Sequence, residues 1–162
     1  MNRARRATML LAASLALAGA ETARAGCIEE PVANAARLHE FETLMMDVSL
    51  RCSLMGVAMR PEYEAMVSAH QARFDAAAQR LQGYFATGNG PDTRHGGLYD
   101  RYATMIANTY GAGNTSLDAC RVFDSITVEL SRTTDNGRTL GAVAQAMIAH
   151  PVLERATCPS QH

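Results

Sequence analysis

Apolar residues recur every three or four positions along most of the chain, which is the spacing of one face of an α-helix. The clearest segment runs from Asn34 to about Val57 and is apolar on two sides. The first stripe consists of Leu38, Phe41, Met45, Val48, Cys52, Met55 and Met59, and the second consists of Met46, Leu50, Leu54 and Val57. Because a helix that is apolar on two sides needs neighbours on both, we predict that this helix is the central one.

Four further helices follow from the same periodicity and from residues that start or stop helices. The second begins at Pro61, a residue suited to the first helical turn, and has His70 within its apolar stripe. Thr115 or Ser116 is expected to cap the fourth helix, and Thr139 the fifth. The predicted ranges of these four helices are 61–84, 98–110, 115–130 and 139–149. Four or five helices with short loops predict an all-α fold, a compact antiparallel bundle or array.

The first 25 residues have the pattern of a cleaved export signal. Three arginines among the first six residues precede an apolar run over residues 9–20. Ala23 and Ala25 then supply the small side chains that a signal peptidase needs at the −3 and −1 positions. The apolar run is shorter than the roughly 20 residues of a transmembrane helix. We therefore predict cleavage after Ala25 and no integral membrane anchor.

Two other interpretations of the leader rest on short motifs. Arg5-Arg6 is compatible with a twin-arginine export address, and Gly26-Cys27 with the end of a lipidation motif, although Arg24 stands where that motif needs an aliphatic residue. Each interpretation still takes the protein out of the cytoplasm. The mature chain, residues 26–162, is long enough for one helical domain, which we expect to be periplasmic or secreted.

All four cysteines lie in the mature part of the chain. An even number of cysteines outside the cytosol predicts two disulfides. The chain contains no CxxC motif, so thioredoxin-like redox chemistry, a zinc knuckle and covalent haem all lack their usual signature. Of the three pairings, we favour Cys27–Cys158, which ties the two ends of the domain, together with Cys52–Cys120, which joins two helix interiors.

The charge balance restricts the partners. The full chain has a formal net charge of −1 and contains no lysine. Removal of the leader takes away four of the 15 basic residues and one of the 16 acidic ones, which leaves a net charge of about −4. An acidic surface without a basic cluster argues against nucleic acid or an anionic membrane as the partner.

The methionine-rich segment LMMDVSLRCSLMGVAM, residues 44–59, has two interpretations. A soft-metal site would need thioether sulfurs around a pocket, usually together with a histidine or a cysteine thiolate. Helix packing alone, however, predicts apolar residues at Met45, Met55 and Met59, and methionine fills irregular gaps between helices well. Since Cys52 is expected to be oxidised, we favour core packing and predict no metal or other cofactor.

His70 is the most prominent single candidate for chemistry, because it interrupts an apolar stripe. A partly buried histidine bonded to a neighbouring group is the first interpretation, and a base or ligand lining a pocket is the second. HExxH, paired Glu-x-x-His and GxSxG motifs are all absent from the sequence. His39 and Glu42, three residues apart, are a weaker pair that can share one helix face. We therefore assign no catalytic residue.

The third helix carries three tyrosines that can lie along one side: Tyr99, Tyr102 and Tyr110. Packing at the edge of the core explains them, and a small aromatic patch for a sugar, peptide or protein partner is the alternative. Arg101 is the nearest candidate for contact with an anion. Together with His70, these residues form the candidate pocket or contact patch.

Several short segments resemble small exported helical proteins of unknown function from proteobacteria, which carry four cysteines. The segments are Leu50-Arg51-Cys52, Tyr99-Asp100-Arg101-Tyr102, and Asn108-Thr109-Tyr110-Gly111 followed by Cys120. The resemblance spans most of residues 38–125. It implies an exported helical fold and assigns no catalytic residue.

These observations favour a non-enzymatic protein that acts by binding, with another envelope protein as the expected partner. One alternative is a small-molecule or soft-metal carrier that uses the methionine-rich helix and His70. Another is a small envelope hydrolase, which predicts a deep polar cleft at His70.

Overall fold

The structure is a computed structural model that describes residues 28–87 and 97–157. This part of the chain is all-α, as predicted, and forms six helices instead of four or five. The helices are α1 (Glu30–Leu54), α2 (Arg60–Ala86), α3 (Leu98–Gly111), α4 (Leu117–Arg132), α5 (Arg138–Met147) and α6 (Val152–Thr157). Within the described ranges, no helix is long and apolar enough to cross a membrane.

Helix α1 is the centre of the array, because each of the other five helices packs against it. It begins with Pro31 in its first turn and ends just before Gly56, whose φ of +83° is in the left-handed region where glycine is favoured. Apart from Met55, the first predicted stripe is buried or half-buried and packs in the core. Met55 is exposed because it follows the last residue of the helix.

The second predicted stripe of α1 is only partly covered. Met46 is 38% exposed, Leu50 45% and Leu54 90%, whereas Val57 packs against the core. The prediction of a central helix is therefore confirmed, but its second apolar side lies on the surface over the C-terminal half. Apolar periodicity shows that a face is apolar and does not show whether another helix covers it.

Of the two predicted helix caps, the one on α4 is confirmed and the one on α5 is wrong. Ser116 caps α4 as expected, since its Oγ accepts a hydrogen bond from the N–H of Ala119 at 3.1 Å. Thr139 does not cap α5, because the helix begins at Arg138 and the Asp135 carboxylate accepts the bond from the Thr139 N–H at 2.9 Å. The sixth helix was not predicted. It begins at Val152, directly after Pro151 and beyond residue 149, the predicted end of the last helix.

The disulfide Cys52–Cys120 is present, as predicted, and joins α1 to α4. Both residues are fully buried, so the bond lies within the core. The other predicted pair, Cys27–Cys158, lies outside the described residues.

Replacing both Cys52 and Cys120 by alanine should lower the free energy of unfolding by about 4 kcal/mol, because the denatured chain regains the entropy of a long loop. The two cysteines are 68 residues apart in sequence. Urea denaturation of the oxidised wild type and of the double variant measures the difference. A loss below about 1 kcal/mol would contradict a substantial stabilisation by this bond.

Candidate functional site

The five residues of the predicted contact patch lie in three separate parts of the molecule. Tyr99, Tyr102 and Tyr110 face α1, where they contact His39 and Glu40. Arg101 lies on the exposed outward face of α3. His70 is buried in another part of the core and bonds to the main chain of α4. The tyrosines thus share one environment, and the five residues do not form one pocket.

Glu40 is the centre of the tyrosine cluster. Its side chain is completely buried on α1, and both carboxylate oxygens accept hydrogen bonds. The Tyr102 hydroxyl donates to Oε1 at 2.8 Å, and the Tyr110 hydroxyl donates to Oε2 at 2.8 Å. The N–H of Val152, the first residue of α6, donates to Oε1 at 2.7 Å. One carboxylate therefore connects α1, α3 and α6.

Burial raises the pKa of Glu40 above its usual value, while the bonds from Tyr110, Tyr102 and the α6 main chain act in the opposite direction. Burial also raises the pKa values of Tyr102 and Tyr110, and the neighbouring Glu40 carboxylate adds to both shifts. The phenols consequently stay protonated and act as donors. The two phenols and the Val152 N–H therefore act as donors and the Glu40 carboxylate as the acceptor, which is typical of a structural hydrogen-bond network.

Arg37, one helical turn before Glu40, is also buried. Its Nε donates to the carbonyl of Ile148 at 2.9 Å, Nη2 donates to the carbonyl of Ala149 at 3.3 Å, and Nη1 donates to the Asn34 side chain. The two carbonyls immediately follow α5. Helix ends leave carbonyl and N–H groups without partners inside the helix. Here the Arg37 guanidinium donates to the free carbonyls after α5, and the Glu40 carboxylate accepts from the free N–H at the start of α6. Together they hold the turn between α5 and α6 against α1.

The neighbouring histidine, His39, lies half-buried beside the tyrosines. Its ring stacks on Tyr99 with 5.6 Å between the ring centroids, and Nε2 is 3.4 Å from the Tyr99 hydroxyl. Burial lowers the pKa of His39, which favours the neutral imidazole. Glu42, the partner proposed from the sequence, has its pKa raised by burial and by the nearby Asp75 carboxylate.

A second arginine of α1 fixes the turn between α3 and α4. Arg51 Nη1 donates to the carbonyls of Tyr110 at 2.9 Å and Gly111 at 3.2 Å, and Nε donates to the Thr115 hydroxyl at 3.0 Å. The guanidinium thus satisfies the C-terminal end of α3 in the same way that Arg37 acts on α5. Cys52, the next residue, forms the disulfide to α4.

His70 and the methionines occupy core positions. His70 Nε2–H donates to the carbonyl of Leu130 at 2.9 Å, which corresponds to the first interpretation, a buried histidine with a hydrogen-bond partner. The side chain is packed in the interior and does not face a deep cleft. Met45 and Met59 are completely buried in the same apolar cluster as Cys52. In the described part of the chain, no three His, Cys, Asp or Glu residues are arranged to hold a metal ion.

Glu40 and Arg37 were missed by sequence reasoning. Both are charged, and a charged residue beside an apolar stripe normally indicates the solvent side of a helix. Glu40 lies within one turn of the apolar Phe41 and of the half-buried Leu38 and His39, which is a weak signal by itself. Its donors come from α3 and α6, more than 60 residues away in sequence, so no local pattern marks them.

Comparisons with protein families, with curated proteins and with solved structures find no match to this chain. The groups with the most reactive chemistry, Glu40, His70, Arg37 and Arg51, bond to main chain or to phenols of the same molecule. These bonds stabilise helix ends, and we assign no catalytic role to the four residues.

Replacing Glu40 by glutamine should stabilise the fold near neutral pH, because it removes a buried charge and keeps the bonds. The amide oxygen can accept from Tyr102 and Val152, and the amide N–H can donate to the Tyr110 oxygen. Leucine should instead be destabilising, since each buried donor left unpaired costs about 1–3 kcal/mol. Urea denaturation of the three proteins tests both expectations.

The pH dependence of the same variants has a definite sign. Because the folded pKa of Glu40 is raised above 4.5, protonation of Glu40 contributes stability below that pH, and the contribution is lost as the pH rises through the folded pKa. The stability advantage of Glu40→Gln over the wild type should therefore shrink as the pH falls towards 4.5. A stability difference between Glu40→Gln and the wild type that stays constant from neutral pH down to pH 4.5 would contradict the raised pKa of Glu40.

Proposed function

We propose that this protein is a non-enzymatic binding protein of the cell envelope, either periplasmic or secreted, which acts by contacting another protein. The export pattern of residues 1–25 supports the location, and the resemblance to small exported helical proteins agrees with it. The observation that carries the proposal is an apolar row on the surface of α1.

That row consists of Met46, Leu50 and Leu54, which are spaced four residues apart and follow one side of α1. Two further exposed apolar residues, Met55 and Leu117, lie at the same end of the molecule, as the Cys52–Cys120 bond requires. Single exposed apolar side chains are common, but a contiguous group of them marks a site of protein interaction. The row lies on the helix against which each of the other five described helices packs.

The buried polar groups also support a binding function over a hydrolase. A hydrolase would need a base or a nucleophile that faces a cleft. Glu40 and His70 are instead buried and bonded within the protein. The apolar row is a surface feature that the packing of the described residues does not explain.

The proposal predicts that a partner protein is retained through the apolar row. Immobilised mature protein should capture a specific protein from an envelope extract, and the double variant Leu50→Glu/Leu54→Glu should lose it because charge is placed within the contact. Val122→Glu is the matched control, since Val122 is 60% exposed on α4. Quantitative mass spectrometry of the eluates measures the difference, and thermal denaturation verifies that all three proteins are folded.

Two results would contradict the proposal. One is capture that is identical for the wild type and the double variant. The other is the absence of any enriched protein at micromolar bait, together with turnover of a substrate by the purified protein.

A further inference from the structure

The apolar row of α1 continues into a carboxylate. Glu42 lies four residues before Met46, so Glu42, Met46, Leu50 and Leu54 form one ridge with i, i+4 spacing, called the α1 ridge below. The ridge runs over thirteen residues of helix, Glu42 to Leu54, and its twelve steps of 1.5 Å give a length of about 18 Å. One end is acidic and the other end, at Leu54, is apolar and 90% exposed.

The acidic end has an excess of negative charge. Glu42 is half-buried, and the Asp75 carboxylate of α2 raises its pKa by repulsion in addition to the effect of burial. Burial raises the pKa of Tyr63 to about 12, and the nearby carboxylates of three residues add to this shift: Glu42, Asp47 and Glu64. Burial is the larger cause of the shift, and the three carboxylates gather negative charge around this end of the ridge.

The arginines near the ridge compensate only part of this charge. Arg60 forms an exposed salt bridge with Glu64 at 3.2 Å. Burial raises the pKa of Asp47, and the Arg51 guanidinium only partly opposes that shift, because the Arg51 N–H groups are directed at the end of α3 and at Thr115. Asp47 Oδ2 is buried and makes no hydrogen bond within the described residues. Glu42 and Asp47 are both only partly buried, so a cationic group of a partner can approach the part of each side chain that lies at the surface.

We propose that the α1 ridge docks a cationic amphipathic α-helix of a partner protein, whose apolar side chains pack along Met46, Leu50 and Leu54 and whose Arg or Lys residues meet Glu42 and Asp47. The inference rests on the proposed function and adds the chemistry of the partner. Rows of side chains spaced four residues apart are the ridges that interlock when two helices pack. An amphipathic helix in such a contact is recognised through anchors at i, i+3, i+4 and i+7.

The charge arrangement favours this occupant over two others. A second copy of the chain packed parallel would bring the same carboxylates together, and like charges oppose association. Packed antiparallel, it would set the acidic end of one ridge against the apolar end of the other and add no cation there. An anionic membrane surface would be repelled by the same carboxylates. A cationic helix turns the acidic end of the ridge into an attraction that also fixes the direction of docking.

Two labelled helical peptides of about 18 residues test the proposal, since this length is about 27 Å of helix and exceeds the ridge. Both carry leucines at i, i+4 spacing, and one has arginines where the other has glutamates. Fluorescence anisotropy with the oxidised mature protein should show at least about tenfold tighter binding of the arginine peptide, with a preference that weakens in high salt.

Three variants assign the contact. Glu42→Gln/Asp47→Asn should reduce the preference for the arginine peptide to less than about threefold while keeping the apolar contact. Leu50→Asn/Leu54→Asn should abolish binding of both peptides, and Val122→Asn should change neither. Equal binding of the two peptides, binding that survives Leu50→Asn/Leu54→Asn, or no binding of either would each overturn the proposal.

Further outcomes separate this inference from the proposed function. If an envelope protein is captured through Leu50 and Leu54 but the arginine peptide does not bind, the binding function stands and the cationic helix is wrong. A dimer in sedimentation, or binding to zwitterionic phosphatidylcholine vesicles, that is lost in Leu50→Asn/Leu54→Asn would show that a second copy or a lipid surface occupies the ridge, and either result overturns the inference.

Discussion

The buried carboxylate of Glu40 is the interaction on which the arrangement of the C-terminal half depends. A carboxylate removed from water is strongly unfavourable unless its oxygens are bonded. Here the donors come from α3 and from the start of α6, so neither element can leave without exposing or unpairing the carboxylate. Arg37 acts one turn earlier on the end of α5. A six-residue helix such as α6 has little stability of its own, and these bonds explain why it forms there.

The same principle accounts for Arg51 at the turn between α3 and α4. Helix α1 thus acts on its neighbours in two ways. Its apolar face supplies the core, and its arginines and glutamate bond to the ends of the helices around it. Specific bonds at helix ends favour one arrangement over others of similar apolar burial, which apolar packing alone does much less effectively. This division explains why a protein of modest size retains Arg37, Glu40 and Arg51 as buried or half-buried charged side chains on one helix.

The parts of the fold that could be predicted are those governed by local periodicity. The long helices, the cap at Ser116 and the central position of α1 follow from the spacing of apolar residues and from helix signals. Helix α6 could not be predicted, because its sequence is short and its stability comes from a carboxylate more than a hundred residues earlier. The tyrosines were recognised as a group, but Glu40, the residue that orients them, has no local signature. Of the predicted patch, only these tyrosines share a site.

The residues on which the expected resemblance to small helical proteins rests have structural roles in this molecule. Arg51 holds the end of α3, Cys52 and Cys120 join α1 to α4, and Tyr102 and Tyr110 bond to Glu40. A shared motif of this kind preserves the helix connections and says little about the partner. Partner choice depends on side chains that folding leaves unconstrained, and the α1 ridge meets that condition, since Leu50 and Leu54 contribute little to the core. Under the proposed function, the ridge can therefore change without disturbing the contacts that Arg51, the cysteines and the tyrosines make.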